Sequence, residues 1–290
     1  EPKTFTHLGY WNGMFAPGRK DPGAFLRATH VVNLAQGRAF TLLKSHNRQF
    51  EVGTAIDPVP MIPASNSAAD HAAAEQWFRF HNLWHIWPAL TGQYPEGVLP
   101  ADQQPELLGI RNGDEVIVRA PFDFLGLNYY TGAHPSAGPE GQKGIPGLIV
   151  EKDGWGQGIH EKTDGGWDIY PQGLYDIVIK ISNLIGKHIP IEITESGAAC
   201  NNTPDAHGRI RDPKRIAYLR AHLRELAHAI RDGAPVRAYH LWSLMDNFEW
   251  AQGYSQRFGL VYVDFANGQK RTIKDSGHWY AKVAASNHVS

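Results

Sequence analysis

Cysteine is nearly missing from this sequence: Cys200 stands alone, so no disulfide can close within the chain. Also missing are a charged-then-apolar leader and an apolar run long enough to span a bilayer. The expected setting is therefore a reducing cytoplasm, with no membrane partner. Charge of one sign is lacking as well. Lys and Arg total 28 against 29 Asp and Glu, for a formal net charge of -1, so neither nucleic acid nor an acidic surface is an expected partner. The 15 histidines are scattered rather than clustered. No internal repeat, low-complexity tract or sharp shift of composition breaks the chain, and residues 1–290 are expected to form a single domain.

What the sequence does have is apolar mass and aromatic rings. With 42% hydrophobic residues in 290, it can bury one large core. Nine Trp and 11 Tyr are many for this length, and several lie in short polar segments containing Gly, where core packing does not need them. The axial C–H bonds of a sugar ring form apolar patches that suit aromatic faces. A Trp taken singly is more often packing than platform.

Helical and strand patterns alternate along the chain. Residues 213–232 read as a helix, with Asp212 placed to cap it, Pro213 in its first turn and Gly233 past its end. Ile216, Leu219, Leu223, Leu226 and Ile230 form one apolar stripe at helical spacing. Residues 236–243 follow as a short apolar strand. The same order precedes it, with a helix over 171–185 and a strand over 189–194. Earlier strands fall at 50–56 and 122–127, and earlier helices at 22–45 and 68–87. Strands separated by helices predict βαβ units around a parallel sheet. The stretches 134–166 and 198–211 are rich in Gly and Pro and lack periodicity, which marks them as the loops where function concentrates.

Two strand ends carry chemistry. The run Ile191-Glu192-Ile193-Thr194-Glu195-Ser196-Gly197 delivers a carboxylate at the C-terminal edge of a β-branched strand, followed at once by small residues. That arrangement exposes Glu195 in the mouth of a barrel. The next strand ends in Trp242-Ser243-Leu244-Met245-Asp246-Asn247-Phe248-Glu249-Trp250. Stacking faces mixed with acceptors suit a polyhydroxylated ligand, and the scarcity of basic residues counts against a phosphate site.

The stretches ITESGAA, HLWSLMDNFEWAQGYSQRFGLVYVDF and DFLGLNYYTG resemble three signatures of family 1 glycoside hydrolases, the β-glucosidase and β-galactosidase family. TDGGWDIYPQGLYD, LGYWNGMFAPGRKDP and the spacing of Asn82, Trp84, Pro88, Gly92, Tyr94 and Pro95 extend the resemblance over essentially the whole chain. The resemblance implies a TIM (β/α)8 barrel, with this chain supplying strands 5 to 8 and the end of strand 4. It implies a retaining β-glycosidase that removes terminal β-linked glucose, with galactose or fucose as further glycones, and it requires no metal or organic cofactor. Glu195 is then the nucleophile and Glu1, in the place of the Glu of an N-E-P motif, the acid/base. Tyr130 matches the tyrosine that bonds the nucleophile. Asn128, Trp242, Glu249 and Trp250 fall at sugar-binding positions; Trp167 is expected either as a platform on the leaving-group side or as a packing residue.

A retaining glycosidase needs one carboxylate ionised to attack the anomeric carbon and one protonated to release the leaving group. Tyr130 donating to Glu195 is expected to favour its charge, and that charge to favour a proton on Glu1. Strands 1 to 3 and most of strand 4 have no counterpart in these residues. The implied partner is a complementary polypeptide supplying strands 1 to 4, beside a small β-glycoside substrate; the alternative is a catalytically silent carbohydrate-binding or scaffold protein.

Overall fold

The computed structural model describes residues 1–138, 145–155, 158 and 160–289. The chain opens with α1 (Pro2–Thr6), a π-helical turn over His7–Trp11, and α2 (Pro22–His46). Asp21 starts α2 by accepting from Ala24 N at 2.9 Å, with Pro22 in the first turn, where its missing N–H costs nothing. Then come β1 (Gly53–Ile56), α3 (Ala68–Phe78), α4 (Trp87–Thr91), α5 (Gln104–Leu108), α6 (Asp114–Val118) and β2 (Phe124–Tyr129). A small antiparallel pair, β3 (Ser136–Ala137) and β4 (Val150–Lys152), interrupts the loop expected over 134–166. Residues 139–144, 156, 157 and 159 of that loop lie outside the described residues. The chain closes with α7 (Pro171–Ile185), β5 (Ile191–Ser196), α8 (Pro213–Arg231), β6 (Val236–Tyr239), the hairpin β7 (Val261–Asp264) and β8 (Lys270–Ile273), and α9 (Asp275–Ser286).

Among the described residues, β1, β2, β5 and β6 pair in that order, all parallel. They form one arc of a TIM barrel and correspond to its fifth to eighth strands. β2 is buried at every position but its first, as a parallel strand covered on both faces must be. On the outer face, Leu125, Ile191 and Ile193 pack with Ile177, Val178 and Ile181 of α7 and with Leu226 and Ala229 of α8. Each such side chain contributes about 1.5–3 kcal/mol by leaving water. A second core holds Phe25 and Leu26 of α2 against Trp77, Phe80, Trp84, Tyr94 and Leu148.

Four expectations need correction. The helix over 68–87 stops being α-helical at Phe78 and continues as a π-helical turn over Arg79–Leu83. There Asn82 exchanges two 2.8 Å hydrogen bonds with the main chain of Val59, a tertiary tie that periodicity cannot show. The strand over 236–243 ends at Tyr239; its continuation still donates from His240 N to Ile193 O (2.7 Å) and from Trp242 N to Ser196 O (3.0 Å), and the Trp242–Ser243 peptide is cis. Asp212 makes no side-chain cap on α8, because its carboxylate is taken by Arg215 Nε at 2.9 Å and by Ser276. The buried face of α8 is also rotated from the apolar stripe: Tyr218, Leu219, His222, Leu226 and Ala229 are inside, whereas Ile230 is exposed. Arg215 joins that buried face because its guanidinium donates to the carbonyls of Ala198, Cys200, Arg257 and Phe258, tying the loop after β5 to the loop after β6.

Candidate active site

The C-terminal ends of the strands bring the predicted residues to one side of the sheet. Glu195 stands near the end of β5, opposite Asn128 of β2, at a register shift between Leu127 and Asn128. Such an irregularity re-aims side chains beside functional sites. Tyr130, one residue beyond β2, donates its hydroxyl to Glu195 Oε2 at 2.5 Å. Gly197 must be Gly, since a Cβ there would sit 1.9 Å from Trp242 O. That close approach sets the Trp242 segment directly beside the strand that carries Glu195.

Glu1 comes to the same place from the other end of the sheet. Its backbone nitrogen donates to Ala55 O of β1 at 3.1 Å, as a preceding barrel strand would, and α1 begins at the next residue. The Asn128 side chain donates to Glu1 Oε1 at 2.8 Å, while Thr194 Oγ1 donates to Asn128 Oδ1 at 2.5 Å. Asn128 is thus held from β5 and orients Glu1 in turn, so one amide links the two carboxyl-bearing elements.

Both carboxyls titrate above their ordinary range. Burial raises Glu195 first, Tyr130 pulls it down, and the charge of Glu1 raises it again. The expected help from Tyr130 is therefore present but outweighed by desolvation. Burial also raises Glu1, followed by the negative charge of Asp57, while Asn128, the α-ammonium and Lys3 oppose in that order. Proximity to Glu195 was the expected cause for Glu1; the larger charge effect comes from Asp57, just past β1. Tyr130 is pushed far up by burial and by Glu195, so it stays a donor at any working pH.

Beyond β6, Trp242 and Glu249 form a wall of the same site: Trp242 hydrogen-bonds the Glu249 carboxyl, which burial raises and Glu1 raises further. Trp250 lies at the rim, 69% exposed, with its ring 6.3 Å from that of Phe15. Trp167 packs edge-on to Tyr130 with centroids 5.3 Å apart, and near Trp155 and Phe258, forming an aromatic corner. Asp246, fully buried, anchors the loop between these walls, accepting from Arg257 Nη1 (2.7 Å), Lys274 Nζ (2.8 Å) and Gly259 N (3.0 Å).

Two residues escaped the sequence reading. Asp57 follows β1 as Glu195 closes β5, so an acid at the end of a strand was the available signal. Lys3 had no signal, because its partner lies 54 residues away. Among the described residues no group of acidic, His or Cys side chains is placed to hold a metal ion, and no helix is long and apolar enough to cross a membrane.

The model of glycosyl hydrolase family 1 matches residues 1–289. Beta-glucosidase A of Acetivibrio thermocellus is 39% identical over 290 residues, covering 99% of this chain and 63% of that protein. The beta-glucosidase of an Agrobacterium species is 37% identical, covering 98% and 60%. The solved family 1 β-glucosidase of Thermotoga maritima superposes with a TM-score of 0.89 at 35% identity, covering all of this chain and 63% of its own. The chain thus spans less than two thirds of the length of these relatives. With the signature stretches, the barrel arc and the paired carboxyls in agreement, the chain belongs to glycosyl hydrolase family 1.

Proposed function

We propose that this chain carries both catalytic carboxyls and one sugar-binding wall of a retaining β-glucosidase. The observation that carries the reading is the pair of contacts from Tyr130 to Glu195 and from Asn128 to Glu1, two hydrogen-bonded carboxyls in one site, as a nucleophile and an acid/base require. Glu195, ionised, attacks the anomeric carbon while Glu1 gives its proton to the departing oxygen. The glycosyl-enzyme neutralises Glu195, the proton affinity of Glu1 falls, and Glu1 takes a proton from water as that water attacks from the face the aglycone left and the bond from the sugar to Glu195 breaks. Two displacements restore the β configuration. Trp242 offers its face to the sugar, and Glu249 binds the hydroxyls distal to the scissile bond. Glucose is the leading glycone, with galactose and fucose as related substrates.

The reading includes a polypeptide that supplies the barrel's first four strands. Among the described residues no strand pairs beyond β1 or β6, where only Glu1 N bonds to the β1 edge, and apolar side chains are exposed: Val31 and Leu42 on α2, and Leu244 and Phe248 beyond β6. Open edges and apolar flanks are costs that the remaining strands would remove. The test is turnover of an aryl β-glucoside by the chain alone and after addition of a polypeptide carrying strands 1 to 4. Activity is expected with the supplement. Glu195→Gly should abolish it, and azide should restore it in part by forming the α-glycosyl azide. A folded complex with no Glu195-dependent turnover favours the silent carbohydrate-binding alternative.

A further inference from the structure

Behind Glu1 lies a charged pair that no step of hydrolysis uses. Lys3 Nζ stands 3.3 Å from Asp57 Oδ2, and each side chain is only 14% accessible. Thr4 Oγ1 donates to the same oxygen at 2.8 Å. Together with the bond from Glu1 N to Ala55 O, these contacts staple the first turn of α1 to the end of β1. Lys3 Nζ also lies 3.4 Å from His81 Nδ1 and 5.9 Å from the centre of the Trp155 ring, so the ammonium is enclosed on several sides.

Burying an ion pair stabilises a fold weakly or not at all, because desolvation offsets the attraction. A pair that persists beside a working carboxyl therefore points to the work of that carboxyl. We propose that Asp57 is a positioning residue of the acid step, gripping the first turn of α1 through Thr4 and Lys3 and setting a negative charge beside Glu1. The proposal rests on the assignment of Glu1 as acid/base.

The charged and titratable groups around Glu1 come from every neighbouring element. Asp57 follows β1, Lys3 lies on α1, Tyr130 follows β2, Glu195 lies on β5 and Glu249 beyond β6, and the α-ammonium of Glu1, which donates to Ala55 O, favours ionisation of the carboxyl more than Lys3 does. His7 and His85 border the Lys3–Asp57 pair, and burial pushes each down to about 3, so both are neutral at working pH. His81 touches Lys3 from the π-helical turn. Lys3 is thus the side-chain cation on this flank and Asp57 its counter-charge. Asp57 opposes ionisation of Glu1, whereas Lys3 favours it. Positioning by Asp57 through Lys3 brings the cation near as well, and the carboxylate outweighs it.

The test reads Glu1 directly and needs no turnover. The full 290-residue chain is labelled with 13C at glutamate carboxyls, the Glu1 signal is assigned by its loss in Glu1→Gln, and its midpoint is followed by NMR. Asp57→Asn keeps the shape and removes the charge, and should move the midpoint down. Lys3→Met should move it up, and it carries the test alone if Asp57→Asn does not fold. An unchanged or raised midpoint in folded Asp57→Asn, or no rise in Lys3→Met where that variant is the one that folds, overturns the proposal. In an active assembly, Asp57→Asn should lower kcat/KM for phenyl β-glucoside more than for 2,4-dinitrophenyl β-glucoside, whose leaving group needs no proton. Equal losses for the two would make Asp57 merely structural and also overturn the proposal. Absence of Glu195-dependent turnover counts against the hydrolase reading alone, and the Glu1 titration still decides this one.

Discussion

The Tyr130 hydroxyl donates to Glu195 Oε2 across 2.5 Å, joining the residue that follows β2 to the end of β5. Glu195 is partly buried, and desolvation pushes its carboxyl above the ordinary range. The bond from Tyr130 is the opposing effect that the protein supplies.

Tyr130→Phe removes that donor, so the carboxyl of Glu195 should titrate higher than in the parent. Because Glu195 acts as the anion, the acidic limb of the pH dependence of kcat/KM should move to higher pH. A hydrogen bond to a charged group is worth about 1.5–3 kcal/mol, so kcat should fall by about tenfold to a hundredfold. The measurement is a pH profile in the assembled enzyme. An acidic limb that stays in place would show that Tyr130 does not tune the nucleophile.

Glu249→Gln tests the sugar wall. The amide keeps the volume and can still accept from Trp242, but it loses the charge that strengthens bonds to sugar hydroxyls. Recognition of the glycone should weaken by about tenfold or more in kcat/KM, while the melting temperature stays near that of the parent. A large fall in melting temperature with little loss of specificity would make Glu249 a packing residue.

How legible all this was depended on the kind of interaction. The strand carrying Glu195 was readable because a β-branched run and a small-residue turn are local features, and β5 spans Ile191–Ser196 where 189–194 was expected. Helix α7 matched residue for residue, since Pro171 and Gly186 mark its ends chemically. Contacts across long sequence separations were not readable. Nothing in the stripe of α8 announces that Arg215 faces inward to bind four carbonyls, and nothing near Asp212 says that its carboxylate will go to Arg215 and Ser276 rather than to the helix end. Among the site residues, Glu195, Tyr130, Asn128, Glu1, Trp242 and Glu249 come together, with Trp167 at one corner. Trp250 stands at the open rim, which the order of residues in its motif does not reveal.

The loop that follows β6 is held by a buried anchor, the pair of Lys274 and Asp246. Lys274 and Asp246 have no solvent-accessible side-chain surface, and Asp246 also accepts from Arg257, Gly259 N and Val263 N. Burial, reinforced by the charge of Arg215, pushes Lys274 down to about 8 in spite of Asp246. An unfolded Lys titrates near 10.4, so between about pH 8 and pH 10.4 the unfolded chain binds more protons than the folded one. Stability contributed through Lys274 must then rise with pH across that window, and fall back as pH drops through 8 and the ammonium is carried in its buried site. Lys274→Met takes one of two cations from Asp246. Breaking a buried pair costs about 3–5 kcal/mol, and the partners left on Asp246 place the loss toward the lower figure at neutral pH. Thermal unfolding of parent and variant should show the parent more stable at pH 7, with the gap widening from pH 8 toward pH 10 because only the parent carries the displaced lysine. A gap that narrows over that range would mean that Lys274 is not held below its ordinary value, and that Asp246 is anchored by Arg257 and the main chain alone.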